Sequence, residues 1–433
     1  MSRDSESNVP QRPAEPEVDV VRRRIEPIES GIEPAGTGIE ATARHIEPVG
    51  PESEAVERPI DSVEPGLEAV ERSIEEARCL PAEAYTNERF LDLERRTLFS
   101  NRWICIGLVD DVPEPGDATP LEVAGTSVIL TRDAAGAVHV FHNYCRHRGL
   151  KILTEAVRGR SRFTCPYHAW TYALDGRLLR APHFDGPGRH RTDPVDGLSR
   201  VRCAVWHRLV FVNLSGDAPE FADHIAPLER RWASYDLSIL RHAESRSCDI
   251  AANWKLAVEN FVDYYHLPTV HKGLNSYSAM EDHYPIREGD LFFGQGNASY
   301  APSDEATGAL PVFPDLDAAE RSVTEAICLF PNLLVTLFHD NLRIILVEPD
   351  GAGRCRERIE VFVVGDEAMA PELAPMRHAL VERFQSFNIE DVAIVEGLQD
   401  AFATTAFDGG RLSPAFDANL HHFQRLIAQW TRA

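Results

Sequence analysis

The sequence predicts an α+β protein: a small antiparallel β domain, then a curved antiparallel sheet holding helices on one face, behind a disordered N-terminal tail. Three observations carry that expectation. Between Trp103 and about Ser215, apolar runs such as WICIGLV, SVILTR, AVHVFHNY and RLVFVNL are separated by the turns EPGD, DAAG and LDGR, which is the pattern of antiparallel hairpins. After Gly216 an amphipathic stretch, NWKLAVENFVDYYHL, precedes strand-like runs near 291–296, 325–330, 332–338, 342–348 and 356–364. Helical text over 372–400 and NLHHFQRLIAQW closes the chain, so helices are segregated against a sheet. Finally, the first 78 residues contain no Phe, Trp, Tyr, Cys or Lys and cannot build a core.

The boundaries that follow are a tail over 1–78, a lead-in over 79–102, the β domain over 103–215 and the α+β domain over 216–433. Within the tail Ile25, Ile32, Ile39, Ile46, Ile60, Leu67 and Ile74 keep a seven-residue register, the spacing of a coiled coil. Pro27, Pro34, Pro48, Pro51, Pro59 and Pro65 interrupt it, and an interior proline costs a helix about 3 kcal/mol. The repeat therefore reads as low-complexity chain, with a short helix in 66–78.

The 433 residues carry 44 Lys+Arg against 68 Asp+Glu, a net charge of −24. That balance argues against a phosphate-binding surface for nucleic acid. No run approaches the roughly 18 apolar residues of a membrane span, and MSRDSESNVPQRPAEPEVDV has no apolar segment of a secretory signal, so a cytoplasmic location is expected. The eight cysteines are scattered, as expected of reduced, buried thiols.

Two of them are different. Cys145-Arg-His147 and, seventeen residues on, Cys165-Pro-Tyr-His168 each offer a thiolate and an imidazole. Two sulfurs and two nitrogens suit a tetrahedral zinc or a [2Fe–2S] cluster with two histidines on one iron and two cysteines on the other. Zinc hairpins favour C-x2-C knuckles, so the C-x-H and C-x2-H spacing points to the cluster. A second constellation is Glu259, Asn260, Asp263, His266 and His271. Glu259, Asp263 and His266 at i, i+4 and i+7 share a helical face, with Pro268 ending that helix. With one carboxylate, His266 and His271 would make the facial triad of a non-haem Fe(II) site. In FNIEDVAIVEGLQD only one of Glu390 and Asp391 is expected to face inward; Asp391 shares a face with Val395 and Leu398 and is the choice.

Residues from about 80 to 430 resemble the catalytic α subunits of Rieske non-haem iron oxygenases, through YCRHRG, FTCPYHAWTYALDGRL, NWKLAVENFVDYYHLPTVH and FNIEDVAIVEGLQ. The resemblance implies a Rieske domain and a helix-grip-like catalytic domain. It assigns Cys145, His147, Cys165 and His168 to the cluster, His266, His271 and Asp391 to mononuclear Fe(II), and Asp263 to a carboxylate bridging the two centres of neighbouring subunits in a head-to-tail homotrimer or a multiple of it. Asn260 is expected in the pocket. HRGLKI and PYHAWTY lack the extra cysteines of respiratory Rieske proteins, which implies the oxygenase type. The expected reaction uses O2 to hydroxylate, dihydroxylate or demethylate a small organic substrate.

The text LFPNLLVTLFHDNLRIILVEPDGAGRCRERIEVF and GRLSPAFDANLHHFQ is nearer the choline, betaine and carnitine branch. A quaternary ammonium substrate wants an aromatic cage, for which Phe261, Tyr264, Tyr265, Phe292, Phe293 and Phe330 are candidates. Gly351-Ala-Gly353 is a turn and no nucleotide fingerprint, so electrons must come from a separate ferredoxin, a flavin reductase or both. A multicomponent aromatic dioxygenase with a β subunit, and a Rieske electron-transfer protein without chemistry, are the alternatives.

Overall fold

The computed structural model describes residues 63–301, 310–404, 407 and 409–432. The heptad tail over 1–62 lies outside them. Its last copies lie inside, as helix α1 (Glu64–Val70), with Pro65 in the first turn where its missing N–H goes unneeded. Val63, Leu67 and Val70 are buried, and the Val70 carbonyl accepts from His421 Nε2 at 2.7 Å. Packed chain is thus already present at Val63, within the segment expected to be tail.

Short helices α2 (Glu83–Thr86) and α3 (Glu88–Glu94) follow, the second capped by Asn87, whose side chain accepts from the Arg89 N–H at 2.8 Å. The β domain is a six-stranded antiparallel sheet in the order β1 (Ile104–Leu108), β9 (Leu209–Asn213), β8 (Arg200–Trp206), β4 (Val138–His142), β3 (Thr126–Arg132) and β2 (Ala118–Val123). Between β4 and β8 the chain inserts a three-stranded ribbon, β5 (Arg162–Thr164), β6 (Thr171–Ala173) and β7 (Leu178–Arg180).

Helix α4 (Phe221–Arg231) opens the second half; Pro227 inside it hides it from sequence reading. A seven-stranded antiparallel sheet then runs β10 (Leu240–Ile250), β16 (Cys355–Val364), β15 (Asn341–Pro349), β14 (Leu333–Leu337), β13 (Thr324–Leu329), β12 (Phe292–Asn297) and β11 (His283–Glu288). Strand β11 has no counterpart in the sequence reading, and β10 starts well ahead of the strand that the sequence predicts near 247–252, because HYPIRE and LRHAESR alternate too little apolar with polar.

Between β10 and β11 lie α5 (Trp254–Val262), α6 (Leu267–Val270) and α7 (Lys272–Asn275); α8 (Ala374–Phe402) and α9 (Ala418–Thr431) end the described chain. Register explains where the site sits. Phe293, Cys328, Leu334, Ile345 and Ile359 pair in one row across β12 to β16 and join the core that contains α5 and α9. Two residues further along each strand, on the same face, the row reads Gln295, Ala326, Thr336, Arg343 and Val361. The face turns from apolar to polar there, and that is where a cavity opens. Beneath α5, Lys255 and Glu94 form a fully buried ion pair at 2.8 Å, and Trp254 Nε1 donates to the same carboxylate at 3.0 Å; a buried charge is tolerated only when paired in this way. Among the described residues no helix is long and apolar enough to cross a membrane.

Candidate metal centres and substrate cavity

The two cysteine loops have one design. The Cys145 N–H donates to the Leu150 carbonyl and the Gly149 N–H to the Cys145 carbonyl, both at 2.9 Å; in the second loop Cys165 pairs with Trp170 at 2.8 Å and Ala169 with Cys165 at 3.0 Å. Each tight turn needs a left-handed residue four places after its cysteine, Gly149 at φ 76° and Ala169 at φ 56°. Both thiols are buried, Cys145 at 4% and Cys165 at 2% exposure, and neither is in a disulfide. Burial raises the Cys165 pKa, the Tyr167 backbone N–H opposes, and Cys145 beside it raises it further.

The histidines lie at the surface instead. The His147 and His168 rings sit 4.5 Å apart, with His147 stacked on Trp170 at 5.1 Å and His168 against Tyr167 at 3.7 Å. Four donors split into a buried sulfur pair and an exposed nitrogen pair fit a two-iron cluster with a thiolate end and an imidazole end. Tyr172, which sequence reading missed, places its hydroxyl 3.2 Å from Cys145 Sγ and accepts from the Arg146 N–H at 3.0 Å. Its only signal was inward alternation with Trp170 about β6.

The second centre departs from the expected single helix. Helix α5 ends at Val262, and Asp263 is already extended at φ −90°, ψ 133°. The Asp263 carboxylate accepts the Tyr265 N–H at 2.6 Å, a local bond that competes with helix continuation. Glu259, Asp263 and His266 therefore do not share a helical face. Pro268 does not end that helix either; it sits in the first turn of α6. Glu259 turns inward, accepting from Tyr85 Oη at 2.7 Å and Gln424 Nε2 at 3.0 Å.

The kink brings the three expected ligands together. Single donor atoms of His266, His271 and Asp391 lie within 4.8 Å of one another. Asp391 Oδ1 is 2.8 Å from His271 Nε2 and 3.5 Å from His266 Nε2. The outer ring nitrogens are held by carboxylates too, His266 Nδ1 by Asp263 at 3.0 Å and His271 Nδ1 by Glu390 at 2.6 Å. Such carboxylate–histidine pairs fix the tautomer of a metal ligand.

Of the adjacent acids Asp391 is the more buried, as expected, while the half-exposed Glu390 still reaches the outer nitrogen of His271; Leu398, expected inward, is 43% exposed. Burial works against a charge on His271, but Asp391 and Glu390 outweigh it and raise its pKa. A site that draws a proton between two carboxylates suits a divalent cation in the proton's place, and two imidazoles and a carboxylate are the donor set of non-haem iron.

Beside these residues is a cavity of about 130 Å³, lined by Asn260 and Phe261 of α5 and by Tyr300, Phe338, Phe384 and Phe387 among others. Of the six cage candidates Phe261 alone lines it. Phe292 belongs to the core on the far face of the sheet, Phe293 and Phe330 pack about Phe423, Tyr264 stacks on His283 and Tyr265 on Phe416. The sequence signal for the aromatic wall was the spacing of Phe384, Phe387 and Asp391 at i, i+3 and i+7 on α8.

Comparison with known proteins follows the same division. The family described as Rieske [2Fe-2S] domain matches residues 102–204, and that described as ring hydroxylating alpha subunit (catalytic domain) matches 237–433. The glycine betaine monooxygenase oxygenase subunit of Chromohalobacter salexigens is 34% identical over 210 residues, 47% of this chain and 45% of that protein, so the match spans about half its length. The carnitine monooxygenase oxygenase subunit of Escherichia coli K12 is 25% identical over 368 residues, 82% of this chain and 94% of that one. A crystal structure of a quaternary ammonium Rieske monooxygenase superposes with a TM-score of 0.70 at 20% identity, over 84% of this chain and 98% of that one, a likeness of fold.

Proposed function

Because the chain belongs to the family of Rieske oxygenase α subunits, on the choline, betaine and carnitine side of it, we propose that it hydroxylates an N-methyl carbon of a small quaternary ammonium compound, which then loses that carbon as formaldehyde. One oxygen atom of O2 enters the C–H bond and the other leaves as water, with two electrons and two protons supplied from outside. The observation that carries this reading is the convergence of His266, His271 and Asp391 on a cavity of about 130 Å³. That volume is well below the roughly 300–1,000 Å³ of pockets for drug-sized ligands and favours a small aliphatic amine over fused aromatic rings.

In this proposal Cys145, His147, Cys165 and His168 hold the [2Fe–2S] cluster, and His266, His271 and Asp391 hold mononuclear Fe(II). When bound, the iron supplies O2 activation and the cluster supplies its electrons. The chain's own residues orient and exclude: Phe261 and Phe387 offer π faces to the ammonium, Asn260 a polar contact, and Asp263 holds His266 by its Nδ1 while linking it to a neighbouring subunit's His168. The electron donor is a separate ferredoxin, reductase or both, the assembly a homotrimer or a multiple of it, and the location cytoplasmic.

The test is metal analysis with reductase-coupled O2 uptake. Three irons per chain and uptake stoichiometric with formaldehyde from an N-methylated substrate are expected. In Asp391→Ala the count should fall to two while the visible absorption of the cluster stays. Two irons in the parent protein would instead indicate an electron-transfer protein, and dihydrodiol formation from an aromatic ring would indicate a dioxygenase.

A further inference from the structure

We infer that Arg343 selects a substrate bearing a carboxylate beside its ammonium, a betaine rather than a simple cation, an inference that rests on the quaternary-amine reading above. Arg343 stands in the middle of β15 between Leu342 and Ile344, directly across from Thr336 of β14, and lines the cavity. A guanidinium in this row calls for a partner. Its Nη2 donates to Thr336 Oγ1 at 3.2 Å, and its Nε is buried with no hydrogen-bond partner. Among the described residues no carboxylate lies within ion-pair distance of it, although buried charges are ordinarily paired.

The nearest acids have other commitments. Asp391 is drawn to both histidines, and Glu357 accepts from Asn388 Nδ2 at 2.5 Å while burial pushes its pKa up to about 7. Burial lowers the Arg343 pKa and Asp391 and Glu357 oppose that, but a guanidinium stays charged at neutral pH in any case. The cavity therefore presents a positive end.

Geometry gives the substrate a direction. The Arg343 guanidinium lies 4.9 Å from the Phe384 ring centre, so that face is already occupied by a cation. Phe387, one turn further along α8, is 5.9 Å from His271 and belongs to the metal end. An ammonium between Phe261 and Phe387 puts its methyl groups at the metal centre and a carboxylate, one or a few bonds away, on the guanidinium fork, whose planar geometry matches carboxylate. Glycine betaine and choline are nearly the same size, but choline ends in a hydroxyl and offers the guanidinium no anion.

The experiment is steady-state kinetics of the reductase-coupled holoenzyme on glycine betaine, L-carnitine and choline, for the parent protein, R343Q and R343K, with iron content and thermal midpoint measured on each. The parent is expected to prefer a carboxylate substrate over choline by ~100-fold in kcat/KM, the scale of a charge-assisted hydrogen-bonded pair. In R343Q the KM for that substrate should rise ~30-fold or more with kcat within about threefold, and kcat/KM for choline should increase as the like charge goes; R343K should recover part of the carboxylate preference. Equal use of choline by the parent, a uniform loss on all substrates in R343Q, or loss of the third iron in R343Q would overturn the inference and leave the oxygenase reading standing. A fully iron-loaded parent that turns over none of the three overturns both.

Discussion

The candidate ligand residues stood out in the sequence because most of them are local, as C-x-H, C-x2-H and two histidines five apart; Asp391 came from the face of a separate, later helix, and it does converge with His266 and His271. What those residues lean on comes from elsewhere in the chain and was invisible. Glu390 on His271, Tyr172 on Cys145 and Arg343 in the cavity are each one polar residue within an ordinary element, and only the register of the sheet or the path of α8 brings them to the site. Glu259 shows the same limit. Spacing placed it beside Asp263 and His266, whereas the kink at Asp263 turns it to Tyr85 and Gln424. There burial raises its pKa to about 7 against the hydrogen bonds of Tyr85 and Gln424. A carboxyl whose native pKa is raised binds its proton in the folded state when the unfolded chain has already lost it. Its contribution is therefore most favourable below about pH 4.5, declines as pH rises to about 7, and is constant above. Glu259→Gln keeps the acceptor oxygen and removes the titration. The parent's stability relative to this variant should fall by about 2 kcal/mol between pH 5 and pH 7.5 in urea unfolding. Parallel stability curves for the two proteins across that range would show that Glu259 titrates normally.

At the scale of elements, strands with strong alternation and helices with clear periodicity were readable to within a few residues; β12 to β16, α8 and α9 fall where the pattern put them. The failures have physical causes. Helix α4 hides Pro227 in its interior, β11 carries Pro285 and four ionisable side chains, and α5 stops early because an aspartate side chain outcompetes the next backbone bond. The paired cysteine loops illustrate how an element constrains a single position. Gly149 and Ala169 occupy equivalent places and both have positive φ. A Cβ built on Gly149 meets nothing within 4 Å, so Gly149→Ala changes only the backbone preference there. An L-residue in that region costs roughly 1–2 kcal/mol, which the second loop already bears at Ala169. Gly149→Ala is expected to lower unfolding stability by about 1 kcal/mol in denaturant titration while the cluster's visible spectrum is retained. Loss of the cluster, with stability unchanged, would mean that the glycine is needed for close approach to the metal rather than for its dihedral freedom.

At the scale of the molecule, the division into a β domain and a helix-covered sheet was readable from the change of period after Gly216, but assembly was not, since nothing in one chain's sequence pattern states which surfaces meet. The proposed ring needs an exposed surface at each centre. The cluster histidines lie among exposed Tyr167, Leu150 and Phe184, and the second centre lies beside exposed Tyr265, Ile389 and Ile394, apolar side chains of the kind that mark contact sites. Asp263, which holds His266, is itself partly exposed, so a partner's imidazole can reach it. The proposed cyclic trimer would join one patch to the other heterologously and close on itself, so that electron transfer would be a property of the junction between chains. Mixed oligomers test that directly. Cys165→Ser removes the cluster and His266→Ala the mononuclear iron, so each variant alone should be inactive. Co-expressed under two affinity tags and purified through both, every mixed trimer contains one junction at which an intact cluster faces an intact iron site, whichever variant is in the majority. Activity of about one third of the parent's per trimer is therefore expected from the ring geometry. If electrons passed within a chain, no subunit of the mixture would hold both centres, and the doubly tagged material would be as inactive as its parents.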